Sequence, residues 1–236
     1  MNRLKMDYSD TTIIVPTLNE GKNISELITE VTNKYKGIHI IISDDGSKDR
    51  TQNIVKRFSK KNKSIILVDR TEQKVHGLTV SVLDAVTKIT SDFIVVMDGD
   101  LQHPPGMIAE IVQRLRSGKE IVVGVRVNTK YENIFRFLMS KTAIILGRCR
   151  LLLGGVYCND VVSGFFGIRT NLFNALIKRY EKAFEKEGYK VLFDILKLAK
   201  PDIGIGEVPY EFQIRMDGKS KIRARHVLLY FRSLFR

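Results

Sequence analysis

The sequence predicts an α/β fold with a mostly parallel central sheet flanked by helices. Five short runs rich in Ile and Val alternate with segments whose apolar residues recur at helical spacing. The runs are apolar at consecutive positions, which is typical of strands buried on both faces. Of the 236 residues, 44% are hydrophobic and 28% are charged, a composition that excludes a disordered or fibrous chain.

The first half contains the regular elements. The predicted strands are Thr11–Val15, Ile38–Ile42, Ser64–Val68, Phe93–Met97 and Ile121–Val125. The apolar stripes between them predict helices from Ile24 to Tyr35, Ile54 to Phe58, Leu78 to Val86 and Ile108 to Leu115. Asn23 and Glu26 have the spacing of a capping box, and Pro104 and Pro105 open the fourth helix.

The second half is less regular. An apolar segment from Ile134 to Leu153 is interrupted by basic residues, and the stretch from Asn159 to Gly167 is rich in turn residues. The remaining predictions are a largely helical Leu172–Phe193, a loop at Pro201–Gly206, a strand at Val208–Ile214 and a helix at Arg225–Arg236. On that last helix one apolar arc, beside a stripe of arginines, contains Val227, Leu228, Phe231, Leu234 and Phe235.

The net charge of +13 is concentrated in two segments. Residues 130–150 carry a net +4 and residues 215–236 a net +6, which leaves +3 for the rest. Such patches predict an anionic partner: nucleic acid, an acidic membrane surface or a phosphorylated substrate. We expect no membrane-spanning helix and no signal peptide. The two cysteines do not form a disulfide framework, which favours a reducing, cytoplasmic setting.

Acidic side chains follow most of the predicted strands. Glu20 follows the first strand, Asp44 and Asp45 the second, and Asp69 the third. Ligands of open parallel sheets bind outside the carboxyl ends of the strands. Because neighbouring carboxylates repel each other, a bound cation is a good explanation of such a cluster.

The fourth strand is followed by the most specific local pattern, Asp98-Gly99-Asp100 and then Gln102. Two carboxylates and an amide oxygen suit a hard cation such as Mg²⁺. The alternative is a solvated acidic turn. Similarly, Asp45 can bind a base or ribose, with helix capping as the alternative for this turn.

Other chemistries are disfavoured. Gly218-Lys219-Ser220 lacks the first glycine of a phosphate-binding P-loop, and no G-x-G-x-x-G follows the first strand. The four histidines are scattered, and we interpret them as packing or surface residues. Neither basic segment has the pattern of an RNA-binding sheet or a DNA-recognition helix, so we expect no nucleic-acid partner.

Six motifs in order identify a resemblance. They are Pro16–Glu20, Ser43–Asp49, Asp98–Pro105, Gly124–Arg126, Asp160–Phe165 and Arg215–Lys221. Together the motifs resemble the family 2 glycosyltransferases of GT-A (Rossmann-like) fold. Within that family the chain is most similar to the dolichol-phosphate mannose synthases and related polyprenyl-phosphate glycosyltransferases.

The resemblance implies roles for individual residues. The nucleotide-sugar site would contain Pro16, Leu18, Glu20, Ser43, Asp45, Asp98, Gly99, Arg126, Arg215 and Lys221. A divalent metal, Mg²⁺ or Mn²⁺, would be held by Asp98, Asp100 and Gln102. The acceptor would contact Arg126, Lys141 and Ser163. Catalysis would depend on Asp100, Arg126, Arg215 and Lys221.

The resemblance also implies the reaction. We expect mannose to pass from GDP-mannose to a dolichyl or polyprenyl phosphate with inversion. A UDP-glucose donor remains open, as does a non-lipid acceptor, for which Asp160 would be the candidate base. We expect a single domain over residues 1–236, with a nucleotide-sugar half to about residue 128 and an acceptor half with basic, amphipathic interfacial helices. We expect it at the cytoplasmic face of a membrane, bound peripherally to the anionic surface.

Overall fold

The computed structural model describes residues 6–127, 134–213 and 224–235. The strands are β1 (Thr11–Thr17), β2 (His39–Asp44), β3 (Ile65–Asp69), β4 (Phe93–Val96), β5 (Ile121–Val127), β6 (Phe166–Arg169) and β7 (Ile205–Glu211). The α-helices are α1 (Ile24–Lys34), α2 (Thr51–Lys61), α3 (Leu78–Val86), α4 (Ile108–Arg116), α5 (Ile134–Leu152), α6 (Thr170–Tyr180), α7 (Val191–Leu198) and α8 (Ala224–Phe235). Short 3₁₀ turns lie at Pro105–Met107 and Glu181–Ala183.

The seven strands in the described part of the chain form one sheet in the order β3-β2-β1-β4-β6-β5-β7. Every neighbouring pair is parallel except the two that contain β6. The predicted α/β fold with a mostly parallel sheet is confirmed. From β1 the chain moves outward to β2 and β3 and then returns to the other side of β1 as β4. The carboxyl ends of β1 and β4 therefore form the switch point at which open sheets bind ligands.

The core lies on both faces of the sheet. Ile13 and Val15 of β1 belong to the cluster that packs with α1 and α4, whereas Ile14 belongs to the cluster that packs with α3, α6 and α7. All three side chains are at most 1% exposed. Burial on both faces explains why the strands have apolar residues at consecutive positions.

Strand β6 was not predicted. It begins at the end of the stretch interpreted as turn-rich and pairs antiparallel with β4 on one side and β5 on the other. A Cβ atom at Gly167 would come within 2.5 Å of Ile111 on α4, so this glycine permits close packing of the helix on the sheet. A glycine that resembles a turn signal in the sequence is here a packing residue.

The segment Leu172–Phe193, predicted to be largely helical, contains most of α6 and the start of α7. It is divided into α6 and α7 by a turn in which the Gly188 N–H donates to the Glu185 carbonyl. Asp194 of α7 accepts from the Glu185 N–H at 3.0 Å and holds this turn in place. The interruption depends on a long-range contact that helical periodicity does not reveal.

Two further boundaries differ from the prediction. Strand β7 begins three residues early and includes part of the predicted loop, because its backbone pairs with β5 from Ile205 opposite Ile121 to Glu211 opposite Val127. Ile214, the predicted end, lies outside the described residues. The capping box at Asn23 does not form, because the Asn23 amide donates instead to the Glu20 carboxylate at 3.1 Å.

Helix α8 divides its predicted apolar arc between the core and the surface. Leu234 is buried, and the neighbouring Tyr230 donates to the Ala143 carbonyl of α5 at 2.7 Å. Leu228, Phe231 and Phe235 are 73%, 42% and 90% exposed. Part of the arc therefore stabilises the fold, and the rest is available at the surface.

A buried polar network fixes the end of α8. Lys197 Nζ lies 3.0 Å from the Asp194 carboxylate and donates to the carbonyl of Ser233 at 2.6 Å. The Ser233 hydroxyl donates to Asp194, also at 2.6 Å.

Within the described ranges, no helix has the length and hydropathy needed to cross a bilayer.

Candidate active site

The turn after β4 combines the three predicted metal ligands. Asp98 has a 37% exposed side chain, whereas Asp100 is only 4% exposed. Leu101 has a positive φ of 63°, a left-handed conformation that turns the backbone back on itself. The Gln102 N–H then donates to Asp100 Oδ1 at 3.1 Å. The strained turn keeps Gln102 beside the two carboxylates.

The chemistry of these three side chains fits a hard divalent cation. Carboxylate and amide oxygens are the donors that Mg²⁺ and related ions prefer, with substrate phosphates completing the coordination. No group of three His, Cys, Asp or Glu side chains in the described part of the chain could hold a metal alone. An ion here would thus depend on Gln102 and on the substrate as well as on Asp98 and Asp100.

Two glycines let the backbone pack tightly around this turn. A Cβ at Gly99 would lie 3.3 Å from Thr17 and 3.4 Å from both Glu20 and Val15. A Cβ at Gly164 would lie 3.0 Å from Asp98 Oδ2. Gly99 thus brings the turn against β1, and Gly164 brings the Asp160–Phe165 segment against Asp98.

His103 supports Asp98 from the interior. Its Nδ1 accepts the Asp98 N–H at 3.0 Å, which requires the proton of the neutral ring to be on Nε2. The ring is 2% exposed and stacks on Phe165, with centroids 5.2 Å apart. Burial lowers the pKa of His103 to about 4, and the cations Arg126 and Lys190 act in the same direction. The interpretation of this histidine as a packing residue is consistent with these contacts.

The depressed pKa of His103 predicts a loss of stability in mild acid. The unfolded ring takes up its proton near pH 6.5 and the folded ring only near pH 4. Throughout this window the unfolded state binds more protons, so the free energy of unfolding falls as the pH is lowered. Between pH 7 and pH 5 the contribution is about 2 kcal/mol.

Urea titrations in EDTA at pH 7 and pH 5 measure this effect. His103→Gln keeps an acceptor for the Asp98 N–H but does not titrate. We expect the variant to lose about 2 kcal/mol less stability than the wild type over this interval. Equal losses in the two proteins would contradict a neutral, buried His103.

The adjacent acids after β2 have different functions. Asp44 is fully buried and accepts from the Thr17 hydroxyl, the Ser47 hydroxyl and N–H, and the Gln52 amide. Asp44 therefore stabilises the turn rather than facing a ligand. Asp45 is 11% exposed and lies beside Arg70 and His76 at the edge of the sheet.

The other residues predicted at the nucleotide surround this edge. Pro16 of β1 is in register with Ser43 of β2, and Leu18 is 37% exposed. The Glu20 N–H donates to the Thr51 hydroxyl at 2.9 Å. Ser43 is fully buried, and in the described part of the chain its hydroxyl has no hydrogen-bond partner. Its contact with a ligand stays a prediction.

Arg126 at the end of β5 forms a two-pronged ion pair with Asp160. Its Nε lies 2.7 Å from Oδ2, and its Nη2 lies 3.1 Å from Oδ1. Asp160 is 2% exposed. The nearby Ser163 hydroxyl exchanges hydrogen bonds at 3.1 Å with the main chain of Phe165. The pair fixes the guanidinium next to the turn that carries Ser163.

The remaining predicted residues are farther along the chain. Lys141 is exposed on α5, and Arg215 and Lys221 lie outside the described residues. Sequence reasoning missed two cations at the site, Arg70 and Lys190. Arg70 follows β3 directly, so its position at the carboxyl end of a strand was a usable signal. Lys190 donates to the Val162 carbonyl at 2.6 Å, a contact that no local pattern indicates.

Comparison with known proteins identifies the family of this chain. Residues 12–177 match the model of glycosyl transferase family 2. The chain belongs to glycosyl transferase family 2. This family 2 chain is 34% identical over 231 residues to the dolichol-phosphate mannosyltransferase of Pyrococcus furiosus. The match covers 95% of this chain and 62% of the archaeal protein, so the chain spans less than two thirds of that relative.

The chain is also similar to a second relative and, in its fold, to a solved structure. The chain is 29% identical to the UDP-N-acetylglucosamine–dolichyl-phosphate N-acetylglucosaminyltransferase of Methanococcus voltae, over 95% of this chain and 93% of the relative. Its fold is similar to glucosyl-3-phosphoglycerate synthase of Mycobacterium tuberculosis, solved with Mn²⁺, UDP and phosphoglyceric acid. That match has a TM-score of 0.65 and 17% identity, and it covers 95% of this chain and 77% of the other. The expected GT-A fold and the family resemblance are confirmed.

Proposed function

We propose that this family 2 glycosyltransferase transfers a sugar from a nucleotide diphosphate to a polyprenyl phosphate, with mannose from GDP-mannose as the first candidate donor. Similarity to the archaeal dolichol-phosphate mannosyltransferase supports the reaction class. The relative from Methanococcus voltae, named for a UDP-sugar, favours a second candidate in which the donor is a UDP-sugar.

One observation favours a phosphate acceptor over a hydroxyl acceptor. Asp160, the candidate base, is 2% exposed and has both oxygens bound by Arg126. A hydroxyl nucleophile needs a base to remove its proton, whereas a phosphate monoester is already an anion near neutral pH. An acceptor that arrives as an anion is compatible with an aspartate engaged in this way.

The bond changes are those of a single displacement with inversion. An oxygen of the acceptor phosphate forms a bond to the anomeric carbon, and the bond from that carbon to the donor diphosphate breaks. We propose that Arg126 orients the incoming phosphate, because Asp160 fixes its guanidinium at the end of β5 beside the turn that carries Ser163. Lys190, 4.6 Å from the Tyr189 ring centroid, adds positive charge to the same region.

Asp98, Asp100 and Gln102 would hold a divalent metal, Mg²⁺ or Mn²⁺. When bound, such an ion acts as a Lewis acid that stabilises negative charge on the departing diphosphate. The Mn²⁺ in the related synthase supports this assignment. Arg215 and Lys221 would add charge stabilisation from the segment that follows Gln213.

Product analysis tests the reaction. The protein is incubated with GDP-mannose, UDP-glucose or UDP-N-acetylglucosamine, with a polyprenyl phosphate and Mn²⁺, and the organic phase is analysed for glycosylated lipid. We expect one donor to give a lipid product and dephosphorylated polyprenol to give none. Transfer to polyprenol, or to neither lipid, contradicts the proposal.

We further propose that α5 and α8 dock the protein on an anionic membrane surface. The helices contact each other, since Arg150 of α5 donates to the Leu234 carbonyl at 3.0 Å. Both expose apolar side chains, with Leu152 of α5 at 57% and Phe235 of α8 at 90%. Basic helices with an exposed apolar surface bind at lipid interfaces.

The arginines of α8 are less available to contact lipid than the sequence predicted. Arg225 pairs with Glu187, and Arg232 Nε lies 3.3 Å from Glu185 Oε2. Arg236 lies outside the described residues. The exposed apolar side chains are therefore the cleaner test of docking. Both cysteines are free, and we include the cytoplasmic face of the membrane in the proposal because disulfides are rare in that reducing setting.

A further inference from the structure

The carboxylate of Asp45 is fixed by three donors. Nη1 of Arg70 and Nδ1 of His76, the latter at 2.9 Å, contact Oδ1, and the Gly77 N–H donates to Oδ2 at 2.8 Å. The N–H of Asp45 donates to the Thr17 carbonyl at 2.9 Å. Asp45 is thereby held where the carboxyl ends of β1 and β2 meet.

Arg70 holds Asp45 in position and is not itself a ligand-binding residue. It is 2% exposed, and its guanidinium also donates to Asp84 at 2.7 Å, to Ser81 at 3.1 Å and to the Val75 carbonyl at 2.8 Å. Every nitrogen of the group is used within the protein. Contact with a ligand would require it to give up buried partners.

His76 differs from Arg70 because its ring is accessible. Its side chain is 47% exposed, and Nδ1 must carry a proton in order to donate to the Asp45 carboxylate. In the described residues, Nε2 at the opposite side of the ring has no hydrogen-bond partner. That nitrogen accepts a hydrogen bond when the ring is neutral and donates one when the ring is charged.

Asp45 and His76 together match the edge of a nucleobase. The carboxylate only accepts hydrogen bonds, whereas the imidazole Nε2 can either accept or donate one. Guanine presents both kinds of group, a carbonyl acceptor at O6 and an amino donor at N2. Sites that hydrogen-bond a substrate group reject analogues that lack it, because the polar groups of the site are then left unpaired.

We propose that His76 is a specificity-determining residue of the donor site, in which Asp45 holds Nδ1–H and Nε2 contacts the nucleobase. This inference rests on the proposed function, since it requires a nucleotide beside Asp45. It assigns base selection to the segment between β3 and α3, in addition to the residues of β1 and β2.

Calorimetric titrations test this role. GDP, UDP, ADP and inorganic pyrophosphate are each titrated with Mn²⁺ into wild type, His76→Ala, His76→Asn and His76→Gln. Lys74→Ala, an exposed change in the same segment, is the matched control. The Asn amide reproduces the position of Nδ1 and can therefore still support Asp45. The Gln amide approximates the position of Nε2 and can therefore still contact the base. Comparing the two variants separates these two roles of His76.

We expect His76→Ala and His76→Asn to weaken binding of the preferred nucleotide by about tenfold or more, because one hydrogen bond to the base is lost. Pyrophosphate binding should be unchanged, and Gln should recover part of the loss. Rescue by Asn, or unchanged preference among bases in every variant, overturns the proposal while leaving the proposed function intact. If the wild type binds no nucleotide, both fail together.

Discussion

Replacing Asp100 with Ala is expected to abolish sugar transfer, with a loss of about a thousandfold or more. Asp100 is nearly buried, and a metal ion is the best physical explanation of its charge beside Asp98. Removal of its carboxylate would leave the diphosphate leaving group without full stabilisation. Initial rates with saturating Mn²⁺ measure the effect, and calorimetry measures the loss of Mn²⁺ affinity directly.

Two controls make the Asp100 experiment decisive. Asp202→Ala removes an exposed carboxylate elsewhere and should leave both rate and metal affinity unchanged. Thermal melting should show that Asp100→Ala remains folded. A variant that retains the wild-type rate, or a wild-type enzyme indifferent to EDTA, would show that the acidic turn is not a metal site.

The double substitution Leu228→Ser and Phe235→Ser is expected to weaken binding to anionic vesicles by about a hundredfold. Both side chains are largely exposed in the free protein, so their replacement should not alter stability. On docking, each would bury apolar surface in the interface, and that gain is lost in the variant. Sedimentation with vesicles containing anionic lipid measures the partition coefficient.

Met6→Ser is the matched control for the vesicle experiment. Met6 is 57% exposed, but it lies outside α5 and α8, so its replacement should not change vesicle binding. Equal binding by wild type and double variant would mean that these side chains do not enter the interface. If Met6→Ser weakens vesicle binding as much as the double variant does, exposed apolar side chains contribute to binding wherever they lie on the surface.

The sequence was most informative where structure depends on near neighbours. Strands β1 to β5 are continuous apolar runs, and the Asp98–Gln102 turn is a local motif, so both were predictable. Strand β6 and the break before α7 depend on partners that are distant in the chain. The same reason hides the roles of Arg70 and His76, whose common partner Asp45 lies 25 and 31 residues away. Arg215 and Lys221 stay predictions.

The position of β6 has a consequence for how the protein folds during synthesis. Strands β1 to β4 pair with one another as soon as residue 96 is available, but β5 cannot join them directly, because β6 separates it from β4. A nascent chain that ends before residue 166 therefore leaves unpaired edges on β4 and β5, and such edges promote aggregation.

The sheet is completed only after the long connection that contains α5 has been made and β6 can pair with β4 and β5. We expect this pairing to be slow, because the strands are distant in the chain. We therefore expect that the predicted nucleotide-sugar half, which ends at about residue 128, does not fold independently. A fragment ending at Val127 should be poorly soluble, whereas one ending at Arg169 would contain the strand that links the two parts.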